Sequence, residues 1–195
     1  TAIASAHPDI VRAFSIGRSE LDRDLLAVKV SDNVGVDEPE PEVLFDGLTH
    51  GNEPMGLEMT LAILRWLTDG NGTDTRITAI VRSREVWIVF ALNPDGQAHD
   101  YGSGALRNWR RNRQPTPGSD AIGTDLNRNF GYRWGGKGSS GNPFSTRFRG
   151  RAAFSAPETR AMRDFVASRV MDGRQQIRAS ISFHEFGRVV MWPYA

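Results

Sequence analysis

The chain is 195 residues long, 39% apolar and 24% charged, with a formal net charge of +1 and no cysteine. That length and composition supply one sizeable core and predict a single domain over residues 1–195. They exclude disulfide frameworks and closed thiolate metal sites, and the near-neutral charge argues against a nucleic-acid-binding surface.

In chain order, residues 25–30 run apolar like a strand and residues 43–48 read as another. The spacing predicts a helix over 54–67 with Met55, Met59, Ala62, Ile63, Trp66 and Leu67 along its apolar face, stopped by the turn residues Asp69-Gly-Asn-Gly72. A short helix is expected over 74–82, and the nearly continuous apolar run 85–92 is expected as a strand buried on both faces. Glycine and serine make 134–141 a loop. Ser155-Ala-Pro-Glu158 predicts a helix start, with Ser155 as N-cap, Pro157 in the first turn and Glu158 closing a capping box. That helix should run to Val166, with Met162, Phe165 and Val166 inward. Strands over 179–183 and 188–192 follow. Trp66, Trp87 and Trp134 read as core or loop packing, and His99 as part of a loop. The pattern predicts an α/β fold: a mixed, mostly parallel central sheet flanked by helices. No apolar run reaches membrane-spanning length, and no signal peptide is present.

Chemistry concentrates at the segment boundaries. His50-Gly-Asn-Glu53 sits at a strand-to-helix turn, and His184 stands alone far downstream. Two imidazoles and one carboxylate leave a tetrahedral zinc with an open fourth position, as a catalytic zinc requires. Taken separately, each has an ordinary explanation; Glu53, for one, suits the first turn of a helix. Between them lie Asn93-Pro-Asp-Gly96, the arginine-rich Arg107-Asn-Trp-Arg-Arg-Asn-Arg113, and Asp125-Leu-Asn-Arg-Asn-Phe130. The amide of Asn127 and the planar guanidinium of Arg128 suit a carboxylate, which such a pair grips through charge-assisted bonds.

Together with Ser182-Phe-His184, these motifs resemble the zinc carboxypeptidase family, in particular its secreted, bacterial, carboxypeptidase T-like members. The resemblance runs from Phe14-Ser-Ile-Gly-Arg-Ser19 to Trp192-Pro-Tyr-Ala195. It implies one zinc ion held by His50, Glu53 and His184, with Asp125 orienting His50. It implies that Arg110 polarises the scissile carbonyl and supports the developing oxyanion. Asn127 and Arg128 would bind the substrate's terminal carboxylate, and Asn52 stands where some members carry an arginine that contacts substrate. Arg111 and Arg113 are read as structural or substrate-channel charges. The implied activity is a zinc-dependent exopeptidase that hydrolyses the C-terminal bond of peptides or proteins through a zinc-activated water. The implied protein is a secreted monomer without nucleic-acid or membrane partners.

The family's general-base glutamate and its substrate-capping tyrosine lie well downstream of the third ligand, whereas this chain stops at Ala195. Neither Glu185, Tyr194 nor Glu158 takes those positions, and the Glu185 side chain is expected to point away from the zinc. The chain also opens at Thr1 without an initiator methionine. The expectation is an N-terminal portion of a longer catalytic domain, truncated on its C-terminal side, with exposed sheet edges and apolar faces. Two alternatives stand beside the peptidase: a zinc acyl-amino-acid deacylase of the same fold, and a catalytically inactive peptide-binding relative. The Trp109-Arg110 cluster and Asn93-Pro-Asp-Gly96 favour the peptidase over the deacylase.

Overall fold

A computed structural model describes residues 2–102 and 104–192; Tyr194 therefore lies outside the described residues. After a short helix α1 (Ala2–Ala6) come β1 (Val11–Arg18) and β2 (Asp24–Val30), joined by a tight turn and paired antiparallel. Then follow β3 (Glu42–Asp46), α2 (Pro54–Gly70), α3 (Thr75–Val81), β4 (Glu85–Val89) and α4 (Pro94–Tyr101). A 3-10 turn (Leu126–Arg128) and α5 (Pro157–Ser168) precede a small hairpin, β5 (Val170–Met171) and β6 (Arg174–Gln175), and finally β7 (Ile177–Ser182). The central sheet has the order β1-β2-β4-β3-β7.

This is the mixed α/β sheet expected, and its two halves have different origins. The β1–β2 connection is short, so it can only reverse the chain, and β2 also meets β4 antiparallel. From β3 to β4 the chain crosses over through α2 and α3, which allows parallel pairing, and β7 joins β3 in parallel as well. Within the central sheet the described pairings are two antiparallel and two parallel, and the parallel half carries the candidate site.

Alternate residues of one strand feed two cores. Val86 and Ile88 of β4 pack with Leu64, Leu67, Ile77 and Val81 under α2 and α3. Trp87 and Val89 pack with Leu44, Leu126 and Met162 on the α5 side. Both faces of β4 are thereby buried, as its unbroken apolar run requires.

Four expectations are corrected. The face that α2 buries carries Gly56, Thr60, Leu64, Leu67 and Thr68, while Met55, Met59 and Trp66 are exposed. The cause is close approach. A Cβ on Gly56 would sit 2.8 Å from the Phe183 carbonyl oxygen and 2.9 Å from the Leu48 nitrogen, so small residues face the sheet there. Residues 94–101, His99 among them, form a helix rather than a loop, because the Asn93 side chain accepts from Gly96 N and caps it. The Ser155–Glu158 capping box is not made: Ala156 is the N-cap of α5, and its nitrogen is held by Asn129 Oδ1 at 3.0 Å. Residues 188–192 are not a strand; Val189, Val190, Met191 and Trp192 are exposed, without a sheet neighbour to pair with among the described residues. Among those residues no helix is long and apolar enough to cross a membrane.

Candidate metal centre

The centre is assembled where β3 and β7 end side by side. Their register pairs Asp46 with Ser182, so the chain leaves both strands at one level and delivers His50 and His184 to the same place. His50 then turns tightly into α2, with Glu53 N donating to the His50 carbonyl at 3.2 Å. Asn93 braces this turn: its Nδ2 donates to the carbonyls of Thr49 and Arg110, each at 3.3 Å, while Gly51 N donates to that same Arg110 carbonyl at 3.0 Å. The Asn-Pro-Asp-Gly motif thus contributes bracing and a helix cap.

Three side chains named from the sequence converge. The Glu53 carboxylate lies 2.8 Å from His50 Nδ1 through one oxygen and 2.8 Å from His184 Nδ1 through the other. The two Nδ1 atoms are 3.2 Å apart, and the three donor atoms all lie within 4.8 Å of one another. Asp125 Oδ1 sits 3.1 Å from His50 Nε2. Burial alone would raise the Asp125 pKa, but the His50 hydrogen bond and the charges of His50 and Arg110 hold it below the usual carboxylate range. As a carboxylate Asp125 accepts the Nε2 proton, so once Nδ1 gives up the proton it shares with Glu53 the neutral His50 ring offers that nitrogen to a metal. Ligand atoms directed at one point are a donor set that fits a zinc ion. The fit extends to access, because His50 and Glu53 side chains are 2% and 5% exposed while that of His184 is 31% exposed. One side of the cluster faces solvent.

Electrostatics favours a cation there. Burial would raise the Glu53 pKa, yet hydrogen bonds from His184 and His50 bring it down to about 2. For His50 burial acts downward, and Asp125 and Glu53 outweigh it, so its pKa is raised. Truncating Asp125 to alanine frees the His50 ring and is expected to weaken zinc binding about 10–100-fold, readable by competition with a chelating dye. Unchanged affinity would remove Asp125 from that role.

The remaining sequence candidates border this cluster to different degrees. Arg110 Nε lies 3.1 Å from Asp125 Oδ2 and its Nη1 3.5 Å from Glu53 Oε1. Asn127 Nδ2 is 3.5 Å from His184 Nε2. The Arg128 guanidinium is anchored by the carbonyls of Gly138 and Asn127, at 3.0 and 2.8 Å. Asn52 donates through Nδ2 to Asn108 Oδ1 at 2.6 Å, and its own Oδ1 is buried without a partner. Arg111 is a staple between loops, with Nη1 donating to the carbonyls of Gly123, Pro143 and Ser145. The Arg113 guanidinium lies over the Trp109 ring, 4.7 Å from its centroid. Glu185 turns to the start of α2 and accepts from Met55 N.

Sequence reasoning passed over Asp46, which is buried at the end of β3 and accepts from Ser182 Oγ at 2.7 Å. Its signal was present: an acid interrupts the apolar run 43–48. Gly56 was passed over too. Gly56→Ala should press the start of α2 off both ligand-bearing segments, costing about 1–3 kcal/mol of stability from overpacking. A thermal melt of the variant with and without zinc checks this, and an unshifted melting temperature would refute the close-packing account.

An α/β sheet that gathers two imidazoles and a carboxylate at the ends of parallel strands defines the class: a scaffold for a solvent-accessible metal centre. More particularly, the chain belongs to the zinc carboxypeptidase family, which it matches over residues 1–195. It is 46% identical over 188 residues to a zinc carboxypeptidase of Saccharothrix mutabilis subsp. capreolus, covering 96% of this chain and 43% of that protein. The crystal structure of carboxypeptidase A from Helicoverpa armigera superposes with a TM-score of 0.82 at 32% identity, over 95% of this chain and 43% of that one. An inactive metallocarboxypeptidase of Blastomyces gilchristii is 28% identical over 194 residues, covering 99% of this chain and 32% of that protein. The chain thus spans less than half the length of these relatives.

Proposed function

We propose that the protein containing this chain is a zinc-dependent exopeptidase that removes the C-terminal residue of peptides. The convergence of His50 Nδ1, His184 Nδ1 and the Glu53 carboxylate beside Arg110 supports this reading most strongly. His50, Glu53 and His184 would hold the ion, and Asp125 would keep the His50 ring oriented through Nε2. A zinc ion held by these residues would supply Lewis acidity to a water and to the scissile carbonyl. Arg110 stands at the edge of the donor set, where its guanidinium can meet negative charge developing on the carbonyl oxygen. Asn127, next to His184, and Arg128 would take the terminal carboxylate, which places the last peptide bond at the cluster and makes a free carboxyl terminus a requirement. Asn52, tied through Nδ2 to Asn108, would add an uncharged contact. An extracellular location and a monomeric state rest on the family resemblance alone.

The test is release of terminal amino acids from a peptide panel by the full-length natural chain, with amidated peptides and N-acyl amino acids alongside. Chelator-sensitive release from free-acid peptides and none from amidated ones is the expected result. Hydrolysis of the N-acyl amino acids alone would replace the peptidase by a deacylase. A second reading, an inactive peptide binder, is supported by the relation to the inactive fungal protein. Stoichiometric zinc without hydrolysis of any substrate would establish it instead.

A further inference from the structure

Glu158 is a fully buried acid that the proposed chemistry does not use. Its position at the start of α5 suggests a capping role, but Asn129 already caps that helix. The Glu158 carboxylate looks the other way. Oε2 accepts from Asn112 Nδ2 at 2.9 Å, and Oε1 accepts from Glu20 N in the β1–β2 turn at 3.2 Å.

Asn112 is itself fully buried and bridges the two ends of one long loop. Its Oδ1 accepts from Thr124 N at 2.8 Å and from Gln114 N at 3.2 Å, and its own nitrogen donates to the Thr124 carbonyl at 3.1 Å. Arg110 lies just before Asn112, and Asp125 directly after Thr124. The bridge therefore fixes the two residues whose side chains meet at 3.1 Å beside His50. An amide is two-faced, so Asn112 serves as this bridge only while its oxygen faces Thr124. The acceptor opposite its nitrogen, Glu158, determines that orientation.

Asp95, the acid of the Asn-Pro-Asp-Gly motif, secures the same hairpin from the other side. It accepts from Ser19 Oγ at 2.9 Å and Leu21 N at 2.8 Å, and pairs with Arg23 Nε at 3.1 Å. The turn that Glu158 grips is thereby fixed to α4, whose N-cap Asn93 braces the Arg110 carbonyl.

We propose that Glu158 is a positioning residue that, through the amide of Asn112, sets Arg110 and Asp125 in register at the metal centre. The proposal rests on the exopeptidase reading for its kinetic consequence and stands apart from it for its effect on zinc. Glu158→Gln puts an amide N–H against either Asn112 Nδ2 or Glu20 N, so one of the two bonds is lost.

In the full-length natural chain at saturating zinc, E158Q is expected to lower kcat about 10–100-fold with little change in KM. In an Arg110→Ala background the same change should cost less than about threefold, because the group it positions is gone. An equal loss in both backgrounds would show ordinary structural damage and overturn the proposal. Where E158Q does not fold, E158D, which keeps the charge but withdraws it by one methylene, runs the same cycle. Zinc affinity gives a readout independent of turnover: displacing Asp125 should weaken it about tenfold. If the parent chain releases no amino acid, the exopeptidase reading fails, and unchanged zinc affinity in E158Q would sink the positioning role separately.

Discussion

Replacing Arg110 by alanine is expected to lower kcat of the full-length protein by about 10²–10³-fold, the loss typical of removing one preorganised oxyanion donor. The guanidinium is held by two carboxylates, Asp125 and Glu53, at 3.1 and 3.5 Å, and remains 27% exposed toward the open side of the cluster. Such a group contributes little to an uncharged carbonyl and much to the charge that develops on it. The loss should therefore fall on kcat, with KM for free-acid peptides nearly unchanged. Arg110→Lys should recover only part of it, since an ammonium keeps the charge but cannot present a planar fork to Asp125 and substrate together.

The opposite pattern has its own meaning. Zinc should remain bound in Arg110→Ala, because removing a cation beside Glu53 and Asp125 leaves those carboxylates more attractive to another. Loss of zinc together with activity would mean that Arg110 holds the carboxylates in place, and its catalytic assignment would fall.

That His50, Glu53 and His184 would come together was legible in the sequence through residue type, boundary position and the motif resemblance. His50 and Glu53 stand where an apolar strand gives way to a helix, and the parallel register of β3 and β7 brings His184 level with them. That Asp125 would meet His50 was implied by the family resemblance, whereas the Arg110–Asp125 contact emerged only from the structure. What periodicity could not give was the rotation of α2. Apolar residues at helical spacing include Met55, Met59 and Trp66, yet the sheet takes Gly56 and Thr60, because backbone proximity selects for small volume there and hydrophobicity does not report it. The capping box failed for a related reason. Ser155 and Glu158 have the right spacing, but Asn129 reaches Ala156 N from a distant loop, and tertiary contacts outrank a local pattern. Strand 85–92 ended early: β4 stops at Val89, Phe90 N makes the last bond to β2 at Leu26 O, and Leu92 N bonds instead to Gly47 O.

Asp46→Asn is expected to stabilise the protein at neutral pH by about 3 kcal/mol, a gain of roughly 6–12 °C in melting temperature for a chain of this size. Asp46 is enclosed at the end of β3, and burial raises its pKa from 3.8 to about 6, even though the Ser182 hydroxyl and the nearby charge of His184 act the other way. A carboxyl whose folded pKa lies above its unfolded value favours folding while protonated. Its full contribution is present below about pH 4 and is lost as pH rises through about 6. Asparagine keeps an oxygen for Ser182 Oγ and never ionises, so the two proteins should have equal stability at pH 4 and diverge above it. Melting curves from pH 4 to 8, taken in chelator, measure this directly. A gap that is constant across the range would show that the aspartate acts through shape rather than charge. Added zinc supplies a second positive charge at His184 that favours the ionised carboxyl, so the advantage of asparagine should shrink in the metal-bound protein.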